Sequence, residues 1–294
     1  MAAADTLSAS ARTHLHFAPP QHRPMLEPQL ILELMVLGLA TGFMAGLLGI
    51  GGGMLLGPFL TLILSARGVG TDLAVKMAIA TSMCTIVFTS VSSLLAHHRR
   101  GAVQWPLVRA IAPGIVLGGL VGSWGVFAAI KGATLALLFA GFIGFAATQM
   151  LLNRQPKPSR ALPGTWGLAS VGSVIGLVSG LVGAGGAFIS VPYLVAHNVG
   201  LIYAVATSAA LGFPVALSNA AGYAISGQGV ANLPPGSLGY IWLPALLVIA
   251  CCSVLTAPLG ARVAHAMPVA QLKRVFAGVL YCLAAYMLAK GLRA

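Results

Sequence analysis

The chain has 294 residues, 58% of them hydrophobic and only 7% charged, with a mean hydropathy of +0.95. Soluble domains carry roughly 25% charged residues, so this chain cannot cover a water-facing surface and reads as a polytopic, all-α membrane protein. Its net charge of +12, from 16 Lys and Arg against 4 Asp and Glu, would suggest nucleic acid in a soluble chain; here the basic residues mostly occupy short loops between apolar runs, where they set topology.

Residues 1–28 are polar, with prolines and histidines and no charged segment leading into an apolar one. A disordered tail is expected there, without a cleavable signal peptide. Apolar runs follow at Leu30–Leu64, Leu73–Ala96, Val103–Ile130 and Ala133–Leu152. A basic linker (153–164) leads to Thr165–Ala196, Gly200–Ile225, Leu238–Ala261 and Val269–Leu288. One crossing needs about 20 apolar residues, so the first and fifth runs are too long for one and too short for two. Each is expected to be a broken helix or a hairpin of shorter helices, giving about 8–10 membrane segments.

Both long runs carry the same glycine signature. Ala45–Leu60 reads AGLLGIGGGMLLGPFL and Ser179–Leu194 reads SGLVGAGGAFISVPYL, a constant offset of 134 positions. Ala80-Thr81-Ser82 recurs as Ala206-Thr207-Ser208, and Phe139-Ala140-Gly141 as Phe276-Ala277-Gly278. Two homologous repeats, 29–152 and 165–294, are therefore expected on either side of the linker. Arg99-Arg100 has no charged counterpart near Gly227, whereas the loop matching Lys131 carries Arg262, Lys273 and Arg274. The basic loop has changed places, which favours inverted repeats.

Small residues in membrane helices usually serve close packing. Consecutive glycines instead weaken a helix, and irregular backbone at membrane depth survives only inside protein or along a cavity. A helix restarting after such a break offers unpaired N–H groups and a positive dipole end to an anion. Gly51, Gly52, Gly53, Gly185, Gly186 and Ala187 are accordingly candidate substrate-binding residues. Thr81, Ser82, Thr207 and Ser208 are candidate hydroxyl donors, with the alternative that they bond within the helix bundle. Asn219, whose first-half partner is Ser93, is a weaker candidate. Pro58 and Pro192 either kink their helices or free a carbonyl.

Lys76 and Arg109 read as interfacial cations, Lys76 snorkelling. His97 and His98 belong to a basic loop, not to a metal site. Cys84, Cys251, Cys252 and Cys282 read as small packing residues. The only acidic residues are Asp5, Glu27, Glu33 and Asp72, so carboxylate-based ion coupling is not expected. Neither a cofactor nor a metal is expected, and no catalytic dyad is evident.

The two signatures, the paired ATS triplets, PPGSLGYIWLPAL (Pro234–Leu246) and APLGARVAH (Ala257–His265) together resemble the TauE/SafE sulfite exporter family over roughly Leu30–Leu292. The resemblance implies a multi-pass permease of the cell inner membrane, exporting sulfite, sulfoacetate or a related organosulfonate. An anion channel and a carrier of another organic acid are the alternatives, and an intramembrane enzyme is disfavoured. The expected partners are a small anionic substrate, the lipid bilayer and, as one form of assembly, a second copy in a homodimer; nucleic acid is not among them.

Overall fold

The computed structural model describes residues 27–48, 53–152, 161–266 and 269–293. The tail 1–26, linker residues 153–160 and two candidate glycines, Gly51 and Gly52, lie outside the described residues. The chain forms α1 (Pro28–Leu48), α2 (Gly53–Ala66), α3 (Thr71–Arg99) and α4 (Trp105–Leu120). A π-helical turn (Val121–Val126) joins α4 to α5 (Phe127–Ala129), and α6 (Gly132–Leu152) follows. Beyond the linker come α7 (Thr165–Val182), α8 (Ala187–Ala196) and α9 (Leu201–Ser226). A small antiparallel hairpin, β1 (Ser237–Leu238) with β2 (Ile241–Trp242), pairs Ser237 with Trp242 and leads into α10 (Leu243–Ala266) and α11 (Val269–Leu292).

Six stretches among the described residues are long and apolar enough to cross a membrane: Thr71–Arg99, Trp105–Ala129, Gly132–Leu152, Thr165–Val182, Leu201–Ser226 and Arg274–Leu292. Pro28–Met44, Gly53–Ala66, Ala187–Ala196 and Leu243–Thr256 are shorter apolar helices. The long fifth run is divided as expected, into α7 and α8. These two do not fold back on each other: α7 packs on α4, and α8 packs on α9.

α3 is uninterrupted because it contains neither Gly nor Pro. Asp72 in its first turn and His97, His98 and Arg99 in its last complement the helix dipole. α3 packs on α9 at the centre, with α2 lying on α3 and α8 on α9. Around them α1 packs on α10, α4 on α7 and α6 on α11. Ile79, Met83, Ile111, Phe127 and Tyr223 fill the interior, while Leu117, Trp166, Ile202 and Leu255 face outward, as lipid contact requires.

Glycine sets the closest approaches. A Cβ on Gly114 would fall 1.8 Å from the Ala169 carbonyl oxygen, and one on Gly118 would fall 1.9 Å from that of Ser173. From α7, Gly172 and Gly176 would each meet a carbonyl oxygen of α4, Ile111 and Ile115, at 2.2 Å. The backbones of α4 and α7 therefore touch along a seam of small residues. Gly38 and Gly42 make the matching seam between α1 and α10, where a Cβ on Gly42 would lie 2.4 Å from Ser253 Cα.

Candidate functional site

The second glycine break begins where α7 ends. Gly183 takes φ 68°, ψ 27° and its N–H donates to the Ser179 carbonyl at 2.8 Å, closing the helix. Gly186 takes φ 75°, ψ −16° at the start of α8. Both are left-handed conformations, which cost a side-chain-bearing residue roughly 1–2 kcal/mol; that is why glycine occupies these two positions. The Gly186 N–H turns back to the Ala184 carbonyl at 2.8 Å, and the N–H groups of Ile189 and Ser190 donate to the Gly186 carbonyl at 3.0 and 2.9 Å. Among the described residues the N–H groups of Ala184, Gly185, Ala187 and Phe188 have no acceptor.

The break adjoins the start of α2. A Cβ on Gly53 would lie 3.5 Å from the Gly183 carbonyl oxygen and 2.4 Å from Ile86 Cδ1. A Cβ on Gly185 would meet the same Ile86 side chain, 3.5 Å from Cγ2, and one on Gly212 of α9 would meet Ser90 and the Gly185 carbonyl. The structure thus brings Gly53 and Gly183–Gly186 together beside the α3–α9 pair.

Thr81 and Thr207 are fully buried and serve as a reciprocal pair of acceptors. Thr81 Oγ1 accepts the backbone N–H of Trp242 at 3.0 Å, 161 residues away. Thr207 Oγ1 accepts that of Gln104 at 3.1 Å, 103 residues away. Gln104 immediately precedes α4, and Trp242 immediately precedes α10. Each threonine therefore anchors a buried extended segment that enters the bundle ahead of a helix on the other side of the linker.

The remaining candidates divide. Ser82 turns back onto the Ile79 carbonyl at 2.9 Å. Ser208 instead accepts the Ser190 hydroxyl at 2.8 Å, which ties α9 to the first turns of α8. Asn219 lies against α7, with Nδ2 donating to the carbonyls of Val215 at 2.8 Å and Gly176 at 3.4 Å and Oδ1 without a partner. Three further residues of the site carry no duplicated motif. Ser190 also donates to the Gly186 carbonyl at 3.0 Å. Tyr223, buried on α9, donates its hydroxyl to the Gly180 carbonyl. Ser179 is 1% exposed, and its Oγ has no partner. The available signal was that the second signature opens on Ser179 where the first opens on Ala45.

The charged groups lie elsewhere. Arg67 bridges Glu27 at 3.4 Å and Glu33 at 3.3 Å, and Lys76 pairs with Asp72 at 3.4 Å. Lys76 is buried rather than snorkelling: its ammonium also donates to the Ala128 carbonyl at 3.3 Å and sits 5.7 Å from the Tyr240 ring centroid. Burial, and after it the Asp72 carboxylate, push the Tyr240 phenol above its ordinary value, leaving a neutral ring beside the ammonium. Among the described residues no three His, Cys, Asp or Glu side chains converge as a metal site.

Discontinuous helices of the α7–α8 kind recur in membrane transporters. The chain belongs to the TauE/SafE sulfite exporter family: the family described as Sulfite exporter TauE/SafE matches residues 34–287. A probable membrane transporter protein of Haemophilus influenzae is 36% identical over 263 residues, covering 88% of this chain and 98% of the relative. One from Methanocaldococcus jannaschii is 25% identical (87% and 94% covered), and one from Bacillus subtilis, YdhB, is 26% identical (83% and 93% covered). No solved structure matches the chain. Family membership makes the chain a membrane transporter and not an enzyme.

Proposed function

We propose that the chain is a permease exporting a small anion (sulfite, sulfoacetate or a related organosulfonate) across the cell inner membrane, with the anion bound where the two glycine breaks adjoin. One observation carries this reading. The α7–α8 break holds four acceptor-free N–H groups at the positive end of α8, next to Gly53. The described carboxylates are all engaged with Arg67 or Lys76, which leaves a path of donors suited to an anion. The family's description supports the substrate class.

On this reading the site comprises Gly51, Gly52, Gly53, Thr81, Ser82, Gly185, Gly186, Ala187, Thr207, Ser208 and Asn219. The oxygens of Thr81 and Thr207 already accept backbone N–H groups, so their hydroxyl hydrogens remain for the ligand.

The same reading takes 29–152 and 165–294 as homologous halves in inverted orientation. Its support is an exchange of partners across the linker: α1 packs on α10 as α7 packs on α4, and Thr81 holds Trp242 as Thr207 holds Gln104. Single cysteines near Gly227 and Met267 test it in intact cells; the first should label from outside and the second only from inside. Both labelling from one side would remove the inversion.

Purified protein in liposomes tests the substrate, with sulfite, sulfoacetate, taurine, sulfate and carboxylates as the panel. Saturable flux with counter-transport of sulfite or a sulfonate is expected. Non-saturating flux would make the protein a channel, and preference for carboxylates would make it a carrier of another organic acid.

A further inference from the structure

The two copies share the glycine signature but not its polar side chains. Ser179 and Ser190 of the second copy stand where the first has Ala45 and Leu56. Ser179 is 1% exposed, and its hydroxyl has no partner. It lies against Gly186, the residue that opens the ten-residue helix α8: a Cβ there would come within 3.4 Å of Ser179 Oγ and 3.1 Å of Ile175 Cγ2. The missing side chain is what gives this hydroxyl an approach to the start of α8.

The neighbouring peptide plane is fixed. The Gly186 carbonyl accepts the N–H of Ile189 at 3.0 Å, the N–H of Ser190 at 2.9 Å and the Ser190 hydroxyl at 3.0 Å. Ser208 in turn holds Ser190 at 2.8 Å. Because the Gly186 C=O and the Ala187 N–H share one peptide unit and point in opposite directions, these bonds aim the Ala187 N–H away from α8. That N–H and the one following, Phe188, have no acceptor among the described residues. N–H donors at a helix N-terminus, beside a buried unpaired hydroxyl, suit an oxyanion.

We infer that the second break by itself forms the primary oxyanion subsite, with the Ala187 and Phe188 N–H groups and the Ser179 hydroxyl as its donors and the Ser190–Ser208 pair as positioning residues. This rests on the proposed anion permease and makes its site asymmetric: one oxyanion head per chain, on the second repeat.

The test uses the full chain in liposomes with sulfite as the probe, and apo thermal stability in detergent. Ser179→Ala should raise the apparent KM for sulfite about ten- to hundred-fold, the effect of losing one hydrogen bond to a charged ligand. Its apo Tm should stay level or rise, since the hydroxyl removed has no partner in the protein. Ala45→Ser, at the matching first-repeat position, should leave KM unchanged. An unchanged KM in Ser179→Ala overturns the assignment, and so does a fall in apo Tm or loss of the fold, which would make the hydroxyl structural. A wild-type protein that moves sulfite while Ser179→Ala behaves identically removes only this subsite. A wild-type protein that moves no oxyanion removes the permease reading as well.

Discussion

The α4–α7 seam and the α7–α8 break are both made of glycine and share the helix α7, yet they use it for opposite ends. In the seam, Gly114, Gly118, Gly172 and Gly176 are ordinary helical residues whose missing side chains let two backbones touch. In the break, Gly183 and Gly186 lie in the left-handed region, and what glycine supplies there is conformation. The seam leaves no room for a side chain between its two helices. The break leaves N–H groups unpaired. Glycine count alone thus says nothing about function; the difference lies in whether the residue is missing a side chain or missing a helix.

The seam should fail first and most severely. A side chain at Gly118 points at the Ser173 backbone, where a Cβ alone would sit 1.9 Å from the carbonyl oxygen. Backbone cannot yield as a side chain can, so Gly118→Leu should exceed the roughly 1–3 kcal/mol of ordinary overpacking. We expect loss of the monodisperse peak in size-exclusion chromatography after detergent extraction. The break should fail differently. At Gly186 the nearest atoms are ends of side chains at 3.1 and 3.4 Å, and the added strain of Gly186→Ala is roughly 1–2 kcal/mol. Folded yield should survive while sulfite flux in liposomes falls about tenfold or more, a change that 1.4 kcal/mol of lost ligand interaction already produces. Equal loss of folded protein in both variants would erase the distinction between seam and break.

Between these extremes lie the two threonines. Thr81→Val or Thr207→Val keeps the shape but strands the Trp242 or Gln104 N–H without an acceptor, at about 1–3 kcal/mol. Thermal unfolding should move down in both variants, and Thr→Ser should restore it. A larger fall in sulfite affinity than in stability would add a ligand role to the bracing one.

These threonines also mark how far the sequence could be read. The run lengths, the duplicated glycines and the division of the fifth run into α7 and α8 follow from local composition and period. What the threonines hold does not, because their partners lie 161 and 103 residues away. Lys76 departs from its interfacial expectation for the same reason: its carbonyl and aromatic partners, Ala128 on α5 and Tyr240 in the β1–β2 turn, are distant in sequence. The π-helical turn at Val121–Val126 carries no local mark that separates it from the helix it interrupts. Ser179 was visible as a letter but not as a buried hydroxyl without a partner.

The smallest effect is expected from the carboxylates, which belong to neither glycine region and so serve as the control for both. Arg67 is held by two of them, so Glu33→Gln leaves Glu27 in place, and Asp72 is 57% exposed where it meets Lys76. Arg67 and Lys76 are themselves only 9% exposed, but each keeps a second partner, Glu27 and the Ala128 carbonyl, so the loss stays near the upper end for open pairs, roughly 1 kcal/mol, and neither carboxylate is among the groups that meet at the break. Glu33→Gln and Asp72→Asn should therefore lower Tm slightly while leaving sulfite flux, and its response to an imposed pH or sodium gradient, at the wild-type level. Flux measured with and without each gradient in the two variants decides the matter. If either substitution abolishes gradient-driven flux and spares exchange, that carboxylate couples an ion to transport, and the anion path is no longer one of backbone and hydroxyl donors alone.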